Sequence, residues 1–296
     1  MTIRLPALSI AFACAFALGH AGAARATPAG CSDTLAARIP QRAADAEPAS
    51  EFVRQAQSLN APQRESLIEQ QLAAGNLPSF LRRLVPVRLH GMTVDGRSAD
   101  VTICVLPDYL SVGSDSDYML VPMSLPVAAR LAQRFDFVLP TRKIVDAIYR
   151  QAAVQLQPLP LPAGDDMRST AYYLRHDQMI REQRRAVAPR PGQLTAGHKK
   201  DLVLNNRLVA QPQRVAIYGW HQPGGRPIQS LSTVHGYRYV DYSHGVRLVS
   251  STAWVNGLRR PIRELLQDPL PAAALSDEGP VAADPAQPPG PAAIQG

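Results

Sequence analysis

Leu84-Val85-Pro86-Val87-Arg88-Leu89 and Val101-Thr102-Ile103-Cys104-Val105-Leu106 stand on either side of the polar run His90-Gly91-Met92-Thr93-Val94-Asp95-Gly96. Both runs are rich in Val, Ile and Thr, whose branched side chains suit a pleated surface, and the run between them carries turn residues. They predict two strands joined by a turn. Helix signals stand on both sides. Upstream, Asn60 has the character of an N-cap, with Pro62 in the first turn and Gln63 three residues on. Leu67, Ile68 and Leu72 then supply one apolar face, and Gly75 stops the helix. Downstream, Ser124-Leu125-Pro126 opens a helix over Val127–Phe135. Thr141 caps another, in which Ile144, Val145, Ile148 and Tyr149 recur at helical spacing.

The short apolar run Tyr118–Met123 precedes these helices, and Val154–Leu161 follows them as an edge strand, because its prolines forbid a central place. A helix over Thr170 to about Ala186 opens the second half; His176 lies midway between Tyr172 and Ile180 on one face and reads as a packed or surface-facing histidine rather than a ligand. Strands are then predicted at Leu202–Leu204, Arg214–Tyr218, Ile228–Thr233 and Arg238–Ser250, with a hairpin turn at Pro223-Gly224-Gly225 and a last helix at Arg260–Leu266. The pattern predicts an α+β fold: an N-terminal helix-and-strand subdomain (49–165) packed with a mainly antiparallel β-rich subdomain (166–269). Residues 27–48 are expected to form a flexible lead-in. The Pro/Ala-rich residues 270–296 are expected to form a disordered tail. No internal repeat is present.

Residues 1–26 have the form of a secretory signal peptide: Arg4, an apolar run from Leu5 to about Leu18, then Ala24-Arg25-Ala26. That run is too short for a comfortable membrane span, and no later stretch is long and apolar enough to be one. A periplasmic or secreted protein is expected. Removing Arg4 and Arg25 takes the formal charge from +7 to (31 − 2) − 24 = +5. Moderate basicity of this kind suits an anionic envelope polymer or polysaccharide, whereas no basic, aromatic-interleaved cluster argues for nucleic acid. Cys31 and Cys104 remain after processing and are expected to pair, as two cysteines do in an oxidising compartment.

Candidate functional residues crowd between His198 and His244. Gly197-His198-Lys199-Lys200-Asp201 is one polar run. Ser232-Thr233-Val234-His235-Gly236-Tyr237-Arg238-Tyr239-Val240-Asp241-Tyr242-Ser243-His244-Gly245-Val246-Arg247 is the other. As one extended strand, His235 and Asp241 would stand about 20 Å apart, so they meet only if the chain turns at Gly236. Strand alternation lets Asp241 and Ser243 serve one pocket, whereas His244 needs a turn or bulge to join them.

The predicted chemistry is hydrolysis of an envelope polymer or extracellular glycan. His198, His221, His235, Asp241 and His244 surround the site, with His244 as the acid/base. Arg247 and Lys200 neutralise anionic charge, and Tyr239, Tyr242, Ser243 and Trp220 contact substrate. Asp201 and Asp241 are the carboxylates available for a glycosidase pair. Metal-free chemistry is favoured over a zinc site, since no H-E-x-x-H or H-x-H is present. A wall- or glycan-binding protein using the same groove is the rival. Asp108, Asp115 and Asp117 lack full EF-hand spacing and fit a plain polar turn better than a calcium loop.

Two resemblances attach to these segments. His235-Gly236 followed by Ser243-His244-Gly245-Val246-Arg247 resembles the motif of L,D-transpeptidases, with Val246 where their nucleophilic cysteine stands, so that activity is not implied. Leu77-Pro-Ser-Phe-Leu81, Pro107-Asp-Tyr-Leu-Ser-Val-Gly-Ser-Asp115, Leu139-Pro-Thr-Arg-Lys143, Gly197–Asp201 and Tyr239–Gly245 together resemble a group of exported bacterial proteins of uncharacterised activity. The second resemblance spans most of 77–250 and implies one integrated unit.

Overall fold

The computed structural model describes residue 1, residues 30–93 and residues 95–281; the expected signal peptide after residue 1 and residues 282–296 of the expected tail lie outside them. The first part of the chain forms α1 (Ala49–Gln57), α2 (Ala61–Ala73), β1 (Val85–Met92), β2 (Ser98–Val105), β3 (Ser111–Gly113) and β4 (Tyr118–Leu120). There follow α3 (Leu125–Phe135), β5 (Phe137–Val138), α4 (Arg142–Gln151), β6 (Val154–Gln155) and α5 (Thr170–Val187). Next come β7 (Thr195–Ala196), β8 (Lys200–Leu202), α6 (Arg207–Ala210), β9 (Ile217–His221) and β10 (Pro227–Ser232). The last elements are β11 (His244–Gly245), β12 (Val249–Val255), β13 (Leu258–Pro261), α7 (Ile262–Gln267) and α8 (Pro269–Leu275). The fold is α+β.

Local chemistry explains the helix starts. Asn60 and Gln63 form a reciprocal capping box, Gln63 N donating to Asn60 Oδ1 at 3.0 Å and Asn60 N to Gln63 Oε1 at 3.1 Å. Thr141 Oγ1 accepts from Ile144 N at 3.2 Å at the head of α4. The predicted hairpin forms with β1 and β2 antiparallel, running in register from Val85 opposite Val105 to Met92 opposite Ser98. Alternation buries Val87 and Leu89 on β1 against Ala99, Val101 and Ile103 on β2.

Two main sheets organise the molecule. The first runs β1-β2-β12-β13, with β5 also paired to β12; the second runs β10-β9-β8-β11. In the second, β9 is antiparallel to both neighbours, but β8 and β11 are parallel. Strand β12 lies against both β2 and β5, so the 49–165 and 166–269 portions share a sheet and are interleaved along the chain.

Three other expectations are corrected. Residues 269–281 are an integral strap: α8 buries Pro271, Ala272, Ala274 and Leu275. Its small side chains let it cross β1 at Gly91, where an added Cβ would stand 2.2 Å from Ala274 N. Thr141 and Lys143 donate to the carbonyls of Leu275 and Ala273, and Arg142 pairs with Asp277. The lead-in is also tied down, by a Cys31–Cys104 disulfide, by buried Ala36 and Ile39, and by Arg42 Nε donating to Asn76 Oδ1 at 2.9 Å. Finally, residues 238–243 are not strand. Tyr239 N donates to Gly236 O at 2.8 Å, turning the chain before β11 begins.

Candidate functional site

That turn decides what the His-rich segment can do. It folds His235 back onto Tyr239, their rings stacked with centroids 3.9 Å apart and planes 8° from parallel. Tyr239 in turn donates its hydroxyl to Asp241 Oδ2 at 3.1 Å. Asp241 Oδ1 accepts from Ser243 N at 2.8 Å and Ser243 Oγ at 2.5 Å, a local turn that fixes the carboxylate. His244 Nε2 stands 3.9 Å from Asp241 Oδ2, beyond hydrogen-bond reach, and the His244 ring meets Tyr239 edge-on at 5.7 Å. Parallel pairing of β8 and β11 sets Lys200 beside His244, with Lys200 Nζ 5.1 Å above the Trp220 ring. His235, Tyr239, Asp241, Ser243, His244 and Lys200 are therefore one constellation.

Its members differ in access. Lys200, His235 and Tyr239 are half-buried, whereas Asp241, Ser243 and His244 are buried. Burial would raise the Asp241 carboxyl, but His244, the Ser243 hydrogen bonds and Lys200 outweigh it and hold Asp241 ionised. Burial pulls His244 down to about 4 against the opposing pull of Asp241, so the imidazole is neutral near pH 7. Neither His244 ring nitrogen has a hydrogen-bond partner, although the residue is 0 % exposed. Burial, then Asp241, raise the Tyr239 phenol to about 12. In a Ser-His-Asp triad the histidine bridges serine and carboxylate; here the Ser243 hydroxyl donates straight to Asp241 Oδ1 with no histidine between them, so the triad arrangement is not formed.

A second polar network lies deeper, on the opposite face of β8. Asp108 accepts from Tyr109 N at 2.8 Å, pairs with Arg184, and lies 3.3 Å from His198 Nε2. Burial alone would raise the Asp108 carboxyl, but Arg184, His198 and Arg247 hold it well below the usual carboxylate range. His198 is pulled down to about 4 by burial, against Asp108. Arg247 is 1 % exposed, donates to Leu106 O at 2.8 Å and Thr195 O at 2.6 Å, and lies over the Tyr109 ring at 4.4 Å. Tyr109 then donates to Asp201 Oδ2 at 2.8 Å, and burial raises the Asp201 carboxyl to about 6 despite Arg247. Gly245 permits this packing, because a Cβ there would stand 2.7 Å from both Lys199 Cβ and Tyr109 Cδ1.

The sequence-derived site is thus only partly assembled. Arg247 is an internal strut between loops, spending donors on carbonyls, so it cannot reach a ligand at the surface as an anion clamp. Tyr242 is buried, its hydroxyl accepting from Leu161 N at 2.7 Å and donating to Leu161 O at 3.2 Å. Trp220 is likewise buried, beneath Lys200. His221 belongs to a separate group: its Nε2 lies 2.9 Å from Asp146 Oδ1, its ring stacks on Tyr149 at 4.6 Å, and Tyr218 donates to the same oxygen at 2.8 Å. Among the described residues no hydrogen bond or ring contact joins His198 or His221 to His244. The glycosidase pair also separates, Asp201 facing Tyr109 and Asp241 facing Tyr239.

Some buried groups had no visible signal. Lys199 Nζ donates to Tyr242 O at 2.5 Å and lies 3.1 Å from His176 Nδ1; burial lowers the amine to about 8, against Asp177, Asp241 and Asp108. Asp108 and Arg184 are far apart in sequence, and only the fold pairs them. Of the other aspartates in the 107–117 loop, Asp115 caps Ser79 and Asp117 accepts from Ser50 N, so the three do not converge on a cation. Among the described residues no three His, Cys, Asp or Glu side chains are grouped as metal ligands, so the zinc reading finds no ligand set. Comparison with known proteins found no matching family model, curated protein or solved structure.

Proposed function

We propose that the protein is exported and binds an anionic envelope polymer or extracellular glycan along the rim made by Lys200, His235 and Tyr239. The observation that carries this is the parallel His235–Tyr239 stack, half-buried and locked from behind by the Tyr239–Asp241 hydrogen bond. A rigid aromatic surface beside a cation suits a sugar ring bearing a negative group, because little side-chain freedom is lost on binding. Among the described residues, no helix is long and apolar enough to cross a membrane, and the disulfide is compatible with an oxidising compartment.

Hydrolysis remains the second reading, and one observation favours it. His244 is a neutral imidazole with both nitrogens unpartnered, beside an ionised carboxylate that can stabilise its protonated form. In that reading His244 moves the proton and Lys200 neutralises developing charge.

Titration of the full chain with acidic and neutral glycans, with product analysis, separates the two. Binding is expected to weaken about tenfold or more in Lys200→Gln and Tyr239→Ala, with no product from any form. Product made by the wild type and lost in folded His244→Ala establishes the hydrolase instead. Undiminished binding in both rim variants removes the rim from either reading.

A further inference from the structure

Resting on the rim reading above, we propose that the ligand is an acidic polysaccharide charged on successive units, and that Arg214 and Arg168 hold the units on either side of the His235–Tyr239 stack. Backbone contacts place these arginines at opposite ends of the 234–242 segment that carries the stack. At one end Val215 N donates to His235 O at 3.1 Å and Tyr237 N to Gln213 O at 2.9 Å. Between those contacts Arg214 Nη1 donates to Val234 O at 2.7 Å, which fixes the guanidinium beside the residue before His235. At the other end Tyr242 N donates to Met167 O at 3.0 Å, which sets Arg168 next to the Asp241–Tyr242 turn.

The charges of these groups reach the stack. Burial lowers the His235 imidazole against the pull of Asp241, and Lys200 and Arg214 add to the lowering. Arg168 acts on the Tyr239 phenol in the opposite sense to burial and Asp241, so its charge lies close to that ring. Both arginines are exposed, and among the described residues neither they nor Lys200 form an ion pair with a carboxylate. Asp241 offsets part of the positive charge from within, where it is buried. Three cations set around one aromatic stack exceed what a single acidic group can use, so the match is to a chain with a charge on each unit. Beyond Arg168 the surface stays concave. Ser169 and Thr170 line an open pocket of about 560 Å³ with Arg64, whose guanidinium donates to Arg168 O at 2.7 Å and Thr170 Oγ1 at 2.8 Å.

A solvated surface is the simpler explanation for any one exposed arginine, and Asp165 and Asp166 are exposed beside Arg168. It does not account for cations at both ends of a stack that is locked from behind by a buried carboxylate.

The test is calorimetric titration of the full chain with polygalacturonate, with its fully methyl-esterified form and with monogalacturonate. The wild type is expected to bind polygalacturonate most tightly and to lose it as salt rises. Arg168→Gln/Arg214→Gln is expected to weaken that binding about tenfold, as the loss of two exposed charge pairs of about threefold each does. Binding of monogalacturonate and of the esterified polymer is expected to be the same in this variant as in the wild type. Arg214→Lys, which keeps the charge but not the fork on Val234 O, and Arg88→Gln/Arg150→Gln, exposed on β1 and α4, are expected to match the wild type on polygalacturonate. Weakening in Lys200→Gln and Tyr239→Ala but not in Arg168→Gln/Arg214→Gln keeps the rim and overturns the flanking arginines. Weakening in none of these variants overturns the rim as well. Equal loss in Arg88→Gln/Arg150→Gln means diffuse charge, and equal loss in Arg214→Lys means a structural tether; either overturns the proposal. So does a wild type that ignores polygalacturonate or binds the esterified polymer as tightly.

Discussion

Protonating His244 should cost the fold measurably, and the size follows from its surroundings. Burial brings the imidazole from its ordinary 6.5 to about 4. At about 1.36 kcal/mol for each pKa unit, the buried site disfavours the charged form by about 3 kcal/mol relative to the unfolded chain. The folded pKa is depressed, so between about 6.5 and 4 the unfolded chain binds a proton that the native state does not. This contribution is fully present above pH 6.5 and is lost as pH falls toward 4. Urea unfolding of wild type and His244→Gln from pH 7.5 to 4.5 is the assay, with near-ultraviolet dichroism to establish that the variant is folded. Wild-type stability is expected to fall with decreasing pH by up to about 1.4 kcal/mol per pH unit more steeply than the variant across this window. His198 has a similarly lowered pKa and is present in both proteins, so the difference isolates His244. Parallel curves would mean that His244 titrates normally and that its buried, unpartnered state is wrong.

Three further outcomes are expected. Closing a loop of sequence separation 73 restricts the unfolded chain, so Cys31→Ala/Cys104→Ala should lower unfolding free energy by about 4 kcal/mol on the chain-entropy account, measured in urea; a loss below about 1 kcal/mol refutes the tie between lead-in and β2. Because folding raises the Asp201 carboxyl from 3.8 to about 6, its ionisation costs stability as pH rises through that interval. Asp201→Asn should therefore gain on wild type from pH 4 to 7, and a gap independent of pH contradicts the buried Tyr109–Asp201 pair. Gly91→Ala puts a methyl group against the α8 backbone, where no side chain can yield, and should cost about 3 kcal/mol or more; an unchanged urea midpoint would show that α8 does not lie on β1.

The sequence carried the fold class well where local chemistry decides. The Asn60–Gln63 box, the Thr141 cap and the β1–β2 hairpin all follow from residues within a few positions of one another. It carried the site half-way. The need for a turn at Gly236 was visible from strand length, and that turn is what gathers His235, Tyr239, Asp241 and His244. What stayed hidden depends on distant partners. Arg247 reads as a ligand clamp until the carbonyls of Leu106 and Thr195 are brought to it. His221 reads as one histidine among four until α4 supplies Asp146 and Tyr149. The Pro/Ala composition of 270–281 reads as unable to bury a core, because the partner that accepts small residues, Gly91, lies far upstream.

The place of β12 also governs the order in which the molecule can be assembled. Val249 pairs with Val105, 249 − 105 = 144 positions earlier, and with Val138 of β5. Until β12 has emerged, β2 offers a bare row of amide and carbonyl groups, and the apolar face it shares with β1 lacks α8 as a cover. Pairings this far apart close late, since loop-closure entropy comes before the contacts that offset it. A chain interrupted near residue 240 is thus a molecule with an empty lane through its central sheet. Its synthesis must run through β12 before the first sheet can be completed, and until then the open edge of β2 has to be kept from its neighbours.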